Sequence, residues 1–221
     1  MGSEDLFHKR KAKATSDLDR KKARRASYDK VLIVCEGEKT EPNYFNELVN
    51  FYKISSANVA IDGTCGSSPK SVLDKAIELY ENEKSKGDGY DRVYCVFDRD
   101  SHETYESTVR NISAIQPKNT FLHCTSVPCF EYWLILHFMY STKPYVASGN
   151  KSSGANALKD LKNLMPDYEK GLKGVFGKLH DQIEFAKENS KRAYKQSVTN
   201  HTDNPSTLIH ELVDYLQNIQ N

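Results

Sequence analysis

The sequence predicts an α/β fold, a mostly parallel four-stranded sheet flanked by helices and followed by a helical C-terminal extension. Three observations predict it. Between Lys30 and Tyr140, short apolar runs rich in β-branched residues alternate with stretches of helical periodicity. The intervening stretches, ~10–18 residues, suit right-handed crossovers between parallel strands. After Tyr140 no strand-like run occurs and helical periods take over.

The elements follow in order. Val31-Leu32-Ile33-Val34-Cys35 is continuously apolar, as a strand buried on both faces must be. Pro42 lies near the start of a helical stretch in which Tyr44, Phe45, Leu48, Val49 and Tyr52 recur at three- and four-residue steps. Val59-Ala60-Ile61 is a second, weaker strand closed by Gly63. Pro69 opens the next helix, with Val72, Leu73, Ala76, Ile77 and Tyr80 on one face. Gly87-Asp88-Gly89 ends it, and Arg92 to Phe97 is the third strand. A polar helix from His102 to Ile115 precedes a fourth strand at Thr120–Cys124, and Pro128 starts a very apolar helix from Phe130 to Phe138. Leu158–Leu164, Val175–Tyr194 and Thr207–Ile219 read as helices. The expected organisation is an arm at 1–29, an α/β core at 30–140, and a helical extension at 141–221 packed on the same domain.

Charge is unevenly placed. The 221 residues carry a formal charge of +1, yet residues 1–30 hold ten basic and five acidic side chains. The excess is densest where Lys9, Arg10, Lys11, Lys13, Arg20, Lys21, Lys22, Arg24 and Arg25 meet only Asp17 and Asp19. With almost no large apolar residue, this arm cannot bury itself; it suits a phosphate backbone, or serves as a solubilising tail. Lys9, Arg10, Lys11, Arg20, Lys21, Lys22, Arg24 and Arg25 are the candidate nucleic-acid contacts. No apolar run approaches the ~18 residues of a membrane span. Five cysteines without a CxxC pair exclude a zinc ribbon and a disulfide scaffold, so reduced thiols and a cytoplasmic location are expected.

The acids carry the chemistry. Glu36 directly follows the first strand and Asp98 and Asp100 follow the third, and ligands of open parallel sheets bind beyond the carboxyl ends of strands. Alternate residues share a face, so Asp98 and Asp100 can point together while Arg99 points away. Clustered carboxylates need a cation or a proton, and hard oxygen donors suit Mg²⁺ or Mn²⁺. Such acids can also simply cap helices in solvent. Gly37 allows the backbone a sharp bend behind Glu36. Lys39 could meet a phosphate from the crevice side. Glu131 lies early in the helix after the fourth strand, as a further metal ligand or as a charge favoured by the helix dipole. His102 could handle protons, whereas His137, Tyr132 and Trp133 read as core. No Walker loop or Gly-x-Gly-x-x-Gly occurs, and a haloacid-type phosphatase would need Asp-x-Asp after the first strand.

Glu-Gly after a first strand and Asp-x-Asp after a later one resembles the Toprim domain of topoisomerases, primases and overcoming-lysogenization-defect nucleases. More specifically, Leu32 to Phe45 (LIVCEGEKTEPNYF) resembles the opening of RloB-like proteins. Val96-Phe97-Asp98-Arg99-Asp100, Pro128 to Phe138 and Asn204-Pro205-Ser206-Thr207 are similar to later blocks of that family, in order. The resemblance spans about residues 31–213. It implies a Toprim-like core and a place among bacterial restriction and phage-defence proteins, similar to the abortive-infection AbiL pair and often beside an ABC- or AAA-type ATPase. Where Toprim proteins carry an acid three residues after the Glu-Gly pair, this chain has Thr40 and then Glu41, which leaves that ligand position open.

The expectation is therefore a Mg²⁺- or Mn²⁺-dependent nuclease acting on DNA, RNA or tRNA. Asp98 and Asp100 would hold the metal, Glu36 would share it or act as general acid or base, and Lys39 and Glu131 would stand at the rim. No protein cation is expected between the acids. Two alternatives stay open, a non-catalytic module working through the partner ATPase and a primase-like nucleotidyl transferase. The chain could also self-associate, and no membrane partner is expected.

Overall fold

A computed structural model of the chain describes residues 28–99 and 102–220. Five strands form one sheet: β1 (Val31–Cys35), β2 (Val59–Asp62), β3 (Arg92–Asp98), β4 (Phe121–Val127) and β5 (Ser206–Thr207), in the spatial order β2-β1-β3-β4-β5. The first four are parallel, and β5 runs antiparallel to β4. Helices α1 (Thr40–Phe51), α2 (Pro69–Ser85) and α3 (Tyr105–Ala114) make the crossovers. Then come α4 (Glu131–Ile135), α5 (Ser153–Leu164), α6 (Val175–Leu179), α7 (Ile183–Thr199) and α8 (Ile209–Asn218).

Each strand of the sheet's centre is buried on both faces because helices cover both. Val31, Ile33 and Cys35 join α1 and the helices of the last third in one apolar cluster. The alternate residues Leu32 and Val34 pack with α2 and α3, through Val72, Leu73, Ala76 and Ile112. Trp133, the single tryptophan, is fully buried in the first cluster, and its indole N–H donates to Tyr44 Oη at 2.9 Å. All five cysteines are free. Among the described residues no helix is long and apolar enough to cross a membrane.

The sheet differs from the expected four strands by the addition of β5. It is two polar residues long and shows no apolar alternation that a sequence pattern could register. Tertiary bonds hold it: Ser126 Oγ and Thr207 Oγ1 are 2.9 Å apart, and Ser190 Oγ donates to Thr207 O at 3.0 Å. Several helices also differ from expectation: the one expected from Leu158 starts at Ser153, and the one expected from Thr207 starts at Ile209, because Thr207 belongs to β5. The apolar stretch at 130–138 is helical only over Glu131–Ile135, the helix after β3 starts at Tyr105 instead of His102, and a 3-10 turn at His180–Gln182 divides 175–194. Pro69 stands in the first turn of α2, as the sequence implies, and Ser68 caps the helix.

Strand order fixes where a ligand crevice opens. From β1 the chain crosses to β2 on one side, and β3 then returns to pair with β1 on the other. The carboxyl ends of β1 and β3 therefore border a topological switch point, the place where α/β sheets bind ligands.

Candidate active site

Glu36 leaves β1 and Asp98 ends β3 on the two strands that border this point. The register pairs Cys35 with Val96, so Glu36 lies one residue short of Asp98 along the neighbouring strand. The Asp98 backbone N–H donates to Glu36 Oε2 at 2.9 Å, and Glu36 Oε1 stands 3.1 Å from His102 Nε2. The Phe130 backbone N–H donates to the Asp98 carboxylate from the start of α4.

Two further carboxylates join them. Glu41, in the first turn of α1, is 6% exposed, and Glu131, the first residue of α4, is 1% exposed. The Glu41 carboxylate lies against Gly37, where a Cβ would come within 2.6 Å of Oε2; a side chain there would collide with the acid. Burial, then the neighbouring charges of Glu131 and Glu36, push Glu41 up to about 7, against the pull of its own backbone hydrogen bond and of Lys170. Asp98 is pushed well above the usual carboxylate range by burial first, then by Glu41, Glu131 and Glu36.

The segment between α5 and α6 supplies the compensation. Tyr168 Oη donates to Glu131 Oε1 at 3.2 Å, and Lys170 Nζ lies 3.6 Å from the same oxygen. Burial alone would lower the Lys170 pKa, but Glu131, Cys129, Asp98 and Glu41 outweigh it and raise the group, so it stays charged. The crevice thus carries a protein cation on its Glu131 side. The sequence could not place Lys170 there, because the chain between α5 and α6 carries no periodicity.

The remaining sequence candidates fall as follows. Lys39 is exposed at the entry to α1, with its stem over Gly171, where a Cβ would come 3.0 Å from Lys39 Cβ. Arg99 turns away from the acids to pair with Asp203, with its guanidinium 5.7 Å from the Tyr105 ring centroid. His137 is core, its Nδ1 3.1 Å from Trp133 O, and burial pushes its pKa down to about 4. Asp100 lies outside the described residues, as do Lys9, Arg10, Lys11, Arg20, Lys21, Lys22, Arg24 and Arg25 of the basic arm. A groove of about 920 Å³ lined by Arg92, Phe121, Leu122 and Tyr215 opens by the amino-terminal ends of β3 and β4, away from the acids.

Sequence reading did not assign Glu41 or Tyr168 to the site. Glu41 did carry a signal: it precedes Tyr44, Phe45 and Leu48 by three, four and seven residues, so it occupies the buried stripe of α1. An acid on an apolar stripe needs a partner that sequence periodicity does not name.

In kind, these donors fit a hard divalent cation, being carboxylate oxygens of which two have pKa values raised by burial first and then by one another. In arrangement, no three His, Cys, Asp or Glu side chains among the described residues stand so that they could hold a metal ion. Fold and crevice together define the class: a mostly parallel α/β protein with an acidic site at its sheet's switch point. The family model for RloB-like protein matches residues 31–216, and the chain belongs to the RloB-like family. No curated protein and no solved structure matches it.

Proposed function

We propose that this chain is a metal-dependent phosphodiesterase with a Toprim-like core that cuts nucleic acid as a phage-defence effector. The observation that supports it is the convergence of Glu36, Glu41, Asp98 and Glu131, delivered by four separate elements, on the switch point of a parallel sheet. Glu36, Asp98 and Asp100, with Glu131, would hold Mg²⁺ or Mn²⁺. Such an ion polarises a phosphate and stabilises the charge that develops on it. Glu36 and His102 form the proton-handling pair: the imidazole is one-third exposed and the carboxylate is 12% exposed, so protons can pass from the buried acid to solvent. The basic arm supplies affinity for the nucleic-acid backbone and Lys39 a further charge at the rim.

A second reading is favoured by one observation. Tyr168 and Lys170 already engage Glu131, one of the proposed metal ligands, which suits a binding module that acts through a partner ATPase. One experiment separates the readings. Purified full chain and its Asp98→Ala variant are incubated with single- and double-stranded DNA, bulk RNA and tRNA, in Mg²⁺, Mn²⁺ or EDTA. New ends that require both the metal and Asp98 support the phosphodiesterase. Stoichiometric metal binding without cleavage of any of these substrates favours the module, and incorporation of nucleotides favours a primase-like transferase.

A further inference from the structure

The segment carrying Lys170 is tied to α1. The Gly171 N–H donates to Thr40 Oγ1 and Asn43 Nδ2 donates to Gly171 O, each at 3.0 Å. Glu47 then accepts the backbone N–H of Gly174 at 2.5 Å and that of Phe176 at 2.9 Å. The helix that brings Glu41 into the crevice therefore also fixes the cation above it. Among the described residues, and of Glu41, Asp98 and Glu131, Glu131 alone is ion-paired to a lysine or arginine.

That pairing is loose on one side and tight on the other. The Lys170 side chain is 61% exposed and its ammonium stands 3.6 Å from a carboxylate that is 2% exposed. Tyr168 Oη donates to the same Glu131 oxygen, so that oxygen keeps a donor if the ammonium leaves. Lysine suits a moving contact, being a compact point charge with rotatable donors on a flexible stem.

We infer that Lys170 is a catalytic residue whose ammonium leaves Glu131 for a non-bridging oxygen of the scissile phosphate, where it neutralises charge in the transition state. The inference rests on the phosphodiesterase reading and names a residue that the resemblance does not. The test compares Lys170→Ala, Lys170→Met and Lys170→Arg with wild type in the full chain, measuring cleavage rate, Mn²⁺ affinity by electron paramagnetic resonance, and thermal unfolding. Expected is a fall in kcat of about 10²–10³-fold for Ala and Met, as for loss of one transition-state donor, with KM changed far less. Arg should recover part of the rate. Mn²⁺ affinity should be unchanged or higher in Ala and Met, because an internal competitor for Glu131 is gone, and unfolding temperature should stay near wild type. Cleavage by Lys170→Ala within twofold of wild type, with Mn²⁺ still bound, overturns this inference and leaves the phosphodiesterase reading standing. Loss of Mn²⁺ binding together with activity also overturns it, since the lysine would then support the site without acting in it. A wild type that neither binds Mn²⁺ nor cuts overturns both.

Discussion

Replacing Glu41 by glutamine isolates the electrostatic cost of the crevice. The carboxyl is pushed from 4.5 up to about 7 by burial and by its acidic neighbours, and each pKa unit corresponds to about 1.4 kcal/mol. Below about pH 4.5 the group is protonated in both folded and unfolded chains, so it contributes nothing. Between 4.5 and 7 the unfolded chain ionises while the folded chain keeps its proton, and the folded state loses stability with each unit. Above about 7 the loss is complete, roughly 3 kcal/mol. Glutamine mimics the protonated form; allowing about 1 kcal/mol for an imperfectly paired amide, Glu41→Gln should gain about 2 kcal/mol at pH 8. For a chain of this size that is roughly 4–8 °C in Tm. Thermal unfolding followed by circular dichroism in EDTA, from pH 4.5 to 8.5, measures it. The variant should melt higher than wild type at pH 8 and slightly lower at pH 4.5, where the cost of the amide is no longer offset, and Mg²⁺ should narrow the gap at pH 8 by stabilising wild type. A variant that melts at or below wild type across the whole range would refute the picture of a crowded, under-compensated acid.

Other predictions concern neighbouring parts. Asp98→Ala and Asp100→Ala should each abolish cleavage, with Asp98→Ala as stable as wild type or more so in EDTA at pH 8, because the Asp98 carboxyl is one the fold prefers protonated; circular dichroism with a cleavage assay checks both. Deleting residues 1–27 should shift Tm by under about 2 °C while lowering the slope of log K against log salt, by about 0.7–0.9 for each phosphate the arm neutralises; an unchanged slope would leave the arm a solubilising tail. Glu47→Ala removes the acceptor of two backbone N–H groups and should cost about 1–3 kcal/mol, with faster amide exchange at Gly174 and Phe176 read by mass spectrometry.

The sequence by itself determined the parallel strands, the crossover helices, and the positions of Glu36, Asp98 and Glu131 at element ends. Those features are local: an unbroken run such as Val31–Cys35 must be buried on both faces, and an acid just after it must leave the sheet at its carboxyl edge. Only the tertiary structure decided which cations and which fourth acid complete the site. Glu41 was visible as an acid on an apolar stripe, but of its partners only Glu36 is near in sequence; Asp98, Glu131 and Lys170 stand far along the chain. The sequence could not place Tyr168 and Lys170 at the crevice, because what places them is hydrogen bonding of a loop to α1 across more than 120 residues, as in Asn43 to Gly171. Strand β5 was hidden for the same reason. Two polar residues become a strand when β4 offers an edge and Ser190 offers a hydroxyl, and neither neighbour lies within the segment itself.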